Sequence, residues 1–353
     1  DRENNKSLLI IFYPKVLTSH VTYHRRPIHM APATPNVKSR VLIIGATGLI
    51  GRHVAEASLD AGRPTYLLTR LTSSAAGDPS KVQILESLRD KGAIIVQGSI
   101  SERESLEKVL KENEIEVVIS VVGGGNLLDQ ITLVQAIKSV GTIKRFLPSE
   151  FGHDVDRANP VEPGLSFYQQ KRQVRRSIEQ NHIPYTYICC NSIASWPYHD
   201  NTHPSDLPPP LHHLPIYADG AAKAYFVTGA DIGKFTMKTV DDPRALNKSV
   251  HFRPAVNYHN MNELASLWEE KLGRTIPRVT VTEADLLALA AENRIPESIV
   301  ASFTHDIFIK GCQSNFEIDG VNDVEASSLY PDETFQTVDQ VFADFALNLQ
   351  HES

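Results

Sequence analysis

The sequence predicts an α/β fold: a doubly wound parallel sheet followed by a smaller α/β region. Three observations predict it. Short apolar runs alternate with helical stripes from residue 40 onward. The first run ends in a three-glycine turn that opens a helix. After Cys190 the alternation weakens and proline-rich sequence takes over. Composition agrees with a globular chain: of 353 residues, 41% are hydrophobic and 22% charged. That balance excludes disorder, collagen-like repeats and a disulfide framework.

The first strand reads Val41-Leu42-Ile43-Ile44, apolar throughout, as a strand covered on both faces should be. Next comes Gly45-Ala46-Thr47-Gly48-Leu49-Ile50-Gly51. Gly45 permits the tight turn, Gly48 lets backbone approach a pyrophosphate, and Gly51 lets the helix pack on the strand. Thr47, Leu49 and Ile50 complete the turn and open a helix whose free amides would meet the phosphates. The helix follows over Arg52–Ala61, with Val54, Ala57, Ser58 and Ala61 on one face. Strand, turn and helix in this order define a Rossmann-type dinucleotide site.

The next strand, Pro64–Arg70, ends about 20 residues past the glycines, where an acidic residue would hold the ribose of NAD. Arg70 stands there instead. A guanidinium suits a 2′-phosphate, and Lys81 adds a second cation beyond a Ser/Gly-rich loop, so the expected cofactor is NADPH. Val82, Leu85 and Leu88 stripe a helix; Ala93–Val96 is a strand; Leu106, Val109 and Leu110 stripe a helix. Glu116–Val122 is a strand, Leu127–Val140 a helix, and Arg145–Pro148 opens another strand. Gly123 begins a glycine triplet at a strand's carboxyl end, where cofactors sit in such sheets.

Residues Ser166–His182 read as a helix. At about 100° per residue, Phe167, Val174 and Ile178 form one apolar stripe and Lys171 lies inside it. Arg172 and Arg176 point away, and Tyr168 falls off the stripe. A lysine on a buried face either snorkels or works; desolvation lowers its pKa and makes it a candidate general base. His153, just past a strand end, is the candidate proton donor, with Glu150 and Asp154 as candidate orienting partners. Tyr168, Ser192 and Phe167 are candidate substrate contacts.

On Gly45–Gly51, Arg145–Gly152 and Lys171, in that order, the chain resembles the plant isoflavone-reductase-like branch of the atypical, NmrA-like short-chain dehydrogenase/reductases. Typical short-chain dehydrogenases place their tyrosine and lysine four apart; here Tyr168 and Lys171 are three apart, which argues against the usual tyrosine acid. Marker strings of one group in the branch stand here as Arg145-Phe146-Leu147-Pro148, Ile188-Cys189-Cys190-Asn191 and Thr304-His305-Asp306. The runs Asn191–Tyr198 and Phe303–Cys312 are similar too.

The resemblance implies a reaction of flavonoid and proanthocyanidin synthesis. A flavan-3,4-diol such as leucocyanidin loses its C4 hydroxyl and receives hydride from NADPH, giving a flavan-3-ol such as catechin. It implies that His153 protonates the leaving hydroxyl and that Lys171 helps deprotonate the phenol para to it, through a quinone methide. Acid and base at opposite ends of one conjugated ring are what such a dehydration needs. No metal is implied. The rival readings are a sister reductase of isoflavones, lignans or phenylcoumarans, and a non-catalytic NADP(H)-sensing regulator.

Beyond the strand Tyr185–Cys189, Trp196–Pro215 holds six prolines and four histidines and reads as a long loop, a lid or wall over a flat substrate. His199, His203, His212 and His213 have no preformed metal geometry there. Asn262–Leu272 and Glu283–Ala291 read as helices, with Asn262, Thr282 and Ser298 as expected caps. Thr304–Asp306 reads as a structural hydrogen-bonding corner, and at least one of Cys189 and Cys190 as core. The expected division is an N-terminal extension at 1–39, a NADP-binding domain at 40–190, a substrate-binding region at 191–345 with some strands returning to the main sheet, and a tail at 346–353.

Residues 1–29 are expected outside the fold, with Met30 as the natural start; a transit peptide is the rival reading. Lys plus Arg number 35 against 42 Asp plus Glu, a net charge of −7. No basic stripe supports nucleic-acid binding, and no apolar run reaches membrane length. Three cysteines without a pairing pattern suit a reducing, cytoplasmic compartment. The expected partner is a small-molecule flavan-3,4-diol, with the oligomeric state left open and a monomer allowed.

Overall fold

Strand β1 (Val41–Ile44) shows how the sheet is built. Val41 and Ile43 join one core, while Leu42 and Ile44 join another on the opposite face. Both faces are covered, so alternation disappears from the sequence and an unbroken apolar run remains. The computed structural model describes residues 38–70, 79–194, 196–198 and 207–351.

After β1 come α1 (Leu49–Asp60), β2 (Thr65–Thr69), α2 (Pro79–Asp90), β3 (Ile94–Gln97), α3 (Arg103–Glu112), β4 (Val117–Ser120), α4 (Gln130–Val140) and β5 (Arg145–Leu147). The five strands form a parallel sheet in the order β3-β2-β1-β4-β5. Next are α5 (Gly164–Gln180) and β6 (Thr186–Cys189). Phe146 bridges to Tyr185 in parallel, and its amide donates to Pro184 O at 2.8 Å. The parallel array thereby continues from β5 to β6.

The chain goes on through β7 (Ser192–Ile193), β8 (Leu214–Tyr217), β9 (Lys223–Val227), α6 (Gly229–Thr239), β10 (Lys248–His251), β11 (Tyr258–Asn260) and α7 (Met261–Leu272). Last come β12 (Arg278–Val281), α8 (Glu283–Ala291), α9 (Glu297–Phe308), β13 (Asp323–Glu325), α10 (Ala326–Leu329) and α11 (Val338–His351). Strands β10 and β13 extend the main array beyond β6, all parallel. The remaining strands make two small sheets, β11-β9-β7 and β12-β8.

Helices α1 and α6 lie on one face of the main sheet, through Val54, Ala55, Ile232 and Phe235. Helices α3, α4 and α5 cover the other, through Leu106, Leu110, Leu133, Val134, Val174 and Ile178. A third core gathers Trp196, Trp268, Phe226, Phe308 and Phe342 around the smaller sheets, and Tyr168 of α5 reaches into it. The doubly wound parallel architecture is the one expected from the alternation.

Several local expectations need correction. Helix α7 is capped by Asn260, which forms a capping box with Glu263, and not by Asn262. Asn262 instead donates to Asp219 O at 2.8 Å. Thr282 does cap α8. Ser298 lies inside α9, donating to Leu289 O at 2.7 Å and accepting from Arg294 N at 2.9 Å, so it is not the N-cap of α9. Regular structure resumes at Leu214 and includes Pro215, whose missing N–H is tolerated in a two-stranded sheet with free edges. His199 and His203 lie outside the described residues, as does the N-terminal extension through Val37. Among the described residues, no helix is long and apolar enough to cross a membrane.

Candidate active site

The turn after β1 is built by steric necessity. Gly45 has φ +89°, and a Cβ there would stand 2.6 Å from Val121 O. A Cβ on Gly51 would stand 2.0 Å from Gly45 O, so any side chain would push α1 off the strand. At Gly48 a Cβ would meet only Gly45 O, at 3.4 Å. Protein packing therefore tolerates a side chain at Gly48; a ligand in the cleft would not. Gly48 offers no side-chain cap to α1, so the amides that open the helix at Leu49 and Ile50 remain available to an anion.

A cleft of about 320 Å³ runs along the carboxyl ends of β1, β2 and β4. Gly45, Thr47 and Gly48 line it, as do Arg70, Lys81 and Gly123. Six of the expected cofactor residues thus meet in one groove. Leu49 and Ile50 sit just behind it at the start of α1, with Ile50 packed on the core. Arg70 follows β2 and is exposed; Lys81, in the first turn of α2, is exposed as well. A glycine turn at a helix N-terminus with two cations beside it fits a dinucleotide bearing an extra phosphate.

The groove connects to the second half of the site through β4 and β5. The Ser149 hydroxyl donates to Val122 O, and Val122 lines the cleft. Beyond Ser149, the segment Glu150–Asp154 makes a turn in which Phe151 has φ +38°. Lys171 Nζ donates to Glu150 O at 2.6 Å. His153 Nδ1 pairs with the Tyr168 hydroxyl. Lysine and histidine therefore reach the same turn from α5 and from the turn itself.

Burial sets the charge states. Desolvation lowers the Lys171 pKa below the usual lysine value, partly opposed by the Glu150 carboxylate. The His153 ring is pushed down to about 4, first by burial and then by the Lys171 charge. Burial raises the Tyr168 hydroxyl well above its usual value. Tyr168 thus stays protonated, and if its hydroxyl donates to His153 Nδ1 the ring proton stands on Nε2. His153, expected as the proton donor, is near neutral pH a neutral ring offering one N–H.

Helix α5 presents a broader buried arc than its apolar residues suggest. Tyr168, expected off the stripe, is 3% exposed and stacks on Phe303 at 4.6 Å. Arg172, expected to point away, donates to Val155 O and Ala158 O, both at 2.7 Å. Hydrogen bonds to loop carbonyls, which a hydropathy pattern does not register, draw it inward. Arg176 does face solvent. Phe167 is half-buried, with its ring 5.6 Å from Lys171 Nζ and 5.9 Å from the Phe303 ring. Ser192 accepts from Gln313 Nε2 at 2.7 Å, which anchors it on β7.

The residues missed from sequence are Phe303, Gln313 and Arg175. Phe303 and Gln313 come from α9 and the loop after it, far along the chain. Arg175 carried a signal: on the helical wheel it shares an arc with Lys171 and Tyr168.

One of the similar strings braces this turn, and another ties α9 to neighbouring segments. Asn191 N donates to Gly152 O at 3.0 Å, and its side chain donates to Phe252 O at 2.9 Å. Asp306 accepts from Asn159 N at 3.0 Å, and His305 pairs with Glu283 at 2.9 Å. Thr304–Asp306 lies inside α9 rather than at the corner expected from sequence, and its polar side chains bond to Asn159 and Glu283. Cys189 and Cys190 are both fully buried.

Asp154, Cys189 and His251 each bring a ligand atom within 4.8 Å of the others. Their donors do not suit a metal ion. Arg175 already holds Asp154 at 2.7 Å, Arg157 stands 3.4 Å from the same carboxylate, and burial keeps the Cys189 thiol protonated.

A dinucleotide groove running into a half-buried lysine beside a buried histidine–tyrosine pair defines an α/β reductase-type site. The chain belongs to the NmrA-like family, whose pattern matches residues 37–342. It is 62% identical to the leucoanthocyanidin reductase of Desmodium uncinatum over 308 residues, covering 87% of this chain and 80% of that protein. It is 48% identical to a phenylcoumaran benzylic ether reductase of Ginkgo biloba, covering 87% of this chain and 99% of that one. Among solved structures, the leucoanthocyanidin reductase–NADPH complex of Vitis vinifera superposes with a TM-score of 0.84 at 64% identity, covering 87% of this chain and 99% of that one.

Proposed function

We propose that this chain is an NADPH-dependent reductase that removes the C4 hydroxyl of flavan-3,4-diols, converting leucocyanidin to catechin. The observation that carries the reading is the 62% identity to a leucoanthocyanidin reductase across 308 residues. The phenylcoumaran reductase at 48% represents the sister activity and ranks second.

Gly45, Thr47, Gly48 and Gly123 would cradle the dinucleotide, the amides of Leu49 and Ile50 would meet its pyrophosphate, and Arg70 with Lys81 its 2′-phosphate. When bound, NADPH supplies the hydride that C4 receives. Lys171, held at Glu150 O and lowered in pKa, takes the proton from the substrate phenol para to C4. The His153 ring, paired with Tyr168 at Nδ1, hydrogen-bonds the departing C4 hydroxyl through Nε2–H, and one proton per turnover from solvent completes the water that leaves. Water leaves, the substrate becomes a quinone methide, and C4 is then open to hydride. Lys171 returns its proton to the phenolate as the product forms. Phe167, Tyr168 and Ser192 line the substrate side, with aromatic faces suited to a flat ring. The buried free thiols of Cys189, Cys190 and Cys312 suit work in the cytoplasm.

The test is NADPH consumption by the purified protein against three substrates: a flavan-3,4-diol, a phenylcoumaran and an isoflavone. Preference for the flavandiol, with catechin as product, is expected. Preference for either other substrate would move the protein to the sister reductases. NADPH binding with no turnover of any would make it a sensor.

A further inference from the structure

Arg175 is 2% exposed and lies one helical turn beyond Lys171 on α5. Its Nε and Nη2 donate to the two oxygens of Glu150 at 3.1 and 2.9 Å. Its Nη1 donates to Asp154 Oδ1 at 2.7 Å and to Asp156 Oδ2 at 3.0 Å. One guanidinium therefore grips both ends of the turn that contains Phe151 in its left-handed conformation. The first end, Glu150, offers the carbonyl that holds Lys171 Nζ. The other end, Asp154, directly follows His153.

We propose that Arg175 is the positioning residue of this site: through Glu150 and Asp154 it sets the places of Lys171 and His153 together. The proposal rests on the reductase reading above. Buried ion pairs are weak stabilisers, and well-packed apolar side chains do as well or better, so stability alone gives little reason for a guanidinium here. The shape of arginine suits this role, because two fork edges can bind two carboxylates at once, which a lysine cannot do.

The arrangement also tunes Lys171. The groups facing its amine are the Glu150 carboxylate from the turn, Arg175 and the Phe167 ring from α5, Cys189 and Cys190 from the end of β6, and His153. His153 is neutral, and burial keeps both thiols protonated. Burial lowers the Lys171 pKa most; of the two charged groups beside it, Glu150 raises it and Arg175 lowers it.

The experiment follows the Lys171 amine by NMR of 13Cε-lysine-labelled protein, assigned with a Lys171→Met control, in wild type, Glu150→Gln and Arg175→Met. Glu150→Gln keeps the main-chain carbonyl and should move the titration down by about one pH unit; Arg175→Met should move it up by a similar amount. Loosening without a positioning role would shift both variants the same way. In turnover, Arg175→Met should lose about tenfold or more in kcat with an unchanged KM for NADPH. Titrations that coincide with wild type would overturn the proposal. Should Arg175→Met fail to fold, the near-isosteric Glu150→Gln still decides it. The titration requires no turnover, so an inactive wild type would remove the reductase reading and leave this measurement standing.

Discussion

At the residue scale, the site depends on a lysine and a histidine whose charged forms are disfavoured by desolvation. A lysine inside a hydrophobic arc and an imidazole paired with a tyrosine rather than a carboxylate both resist protonation. Lys171→Ala and His153→Ala should each lose about 100-fold or more in turnover while NADPH still binds. Equal NADPH dissociation constants by fluorescence titration, beside collapsed turnover, would show it; near-normal turnover in either variant would remove that residue from the mechanism. Arg70→Ala should weaken NADPH by about tenfold or more and leave NADH nearly untouched, since a charge-assisted pair with phosphate disappears. Equal losses for both cofactors would reject its phosphate role. Lys171 was legible because a charge on an apolar stripe is conspicuous in any wheel. The burial of Tyr168 was not, and Arg175 showed only as a neighbour on the same arc, because their partners lie on segments that only the fold brings near.

At the element scale, the β1–turn–α1 unit is the most tightly determined part of the chain. Gly51→Ala would place a methyl 2.0 Å from Gly45 O and should destabilise the fold by about 1–3 kcal/mol. Thermal unfolding should show the loss together with weaker NADPH binding, and an unchanged melting temperature would contradict the close packing. Strands β1, β2 and β4 were readable as apolar runs because helices cover both of their faces. Helix α2 was readable only in part: Leu88 is buried, while Val82 of the same stripe is 40% exposed. Strands β10 and β13 escaped notice because Lys248–His251 and Asp323–Glu325 are short and polar. Their partners make them strands, and no local propensity announces them. The cap on α7 slipped by two residues because Asn260 and Asn262 are chemically alike; the side chain of Glu263 decides between them.

At the scale of the whole molecule, buried histidines make stability depend on acidity. His153 and His251 are both pushed down from 6.5 to about 4, chiefly by burial. The unfolded chain takes up these protons as pH falls through about 6.5, whereas the folded chain resists until about 4. Stability should therefore fall as pH is lowered through that window, each histidine contributing about 1 kcal/mol per pH unit. Asp154, held below its usual value by Arg175 against the opposing effect of burial, extends the loss at lower pH. Urea unfolding between pH 7 and 4.5 would show a falling midpoint; a flat profile would mean that the two rings are charged in the folded state. The overall architecture was legible from alternation, and the site only in part: its cofactor half lies within one stretch of chain, whereas its substrate half is assembled from α5, β7 and α9.

The central claim is that hydride replaces a hydroxyl at C4. It is tested most directly with leucocyanidin and NADPH deuterated at both C4 positions of the nicotinamide, followed by mass spectrometry and NMR of the flavan-3-ol. One deuterium at C4 of catechin, and none elsewhere, is the predicted result. Catechin without label, or cofactor oxidised with no flavan-3-ol formed, would contradict it.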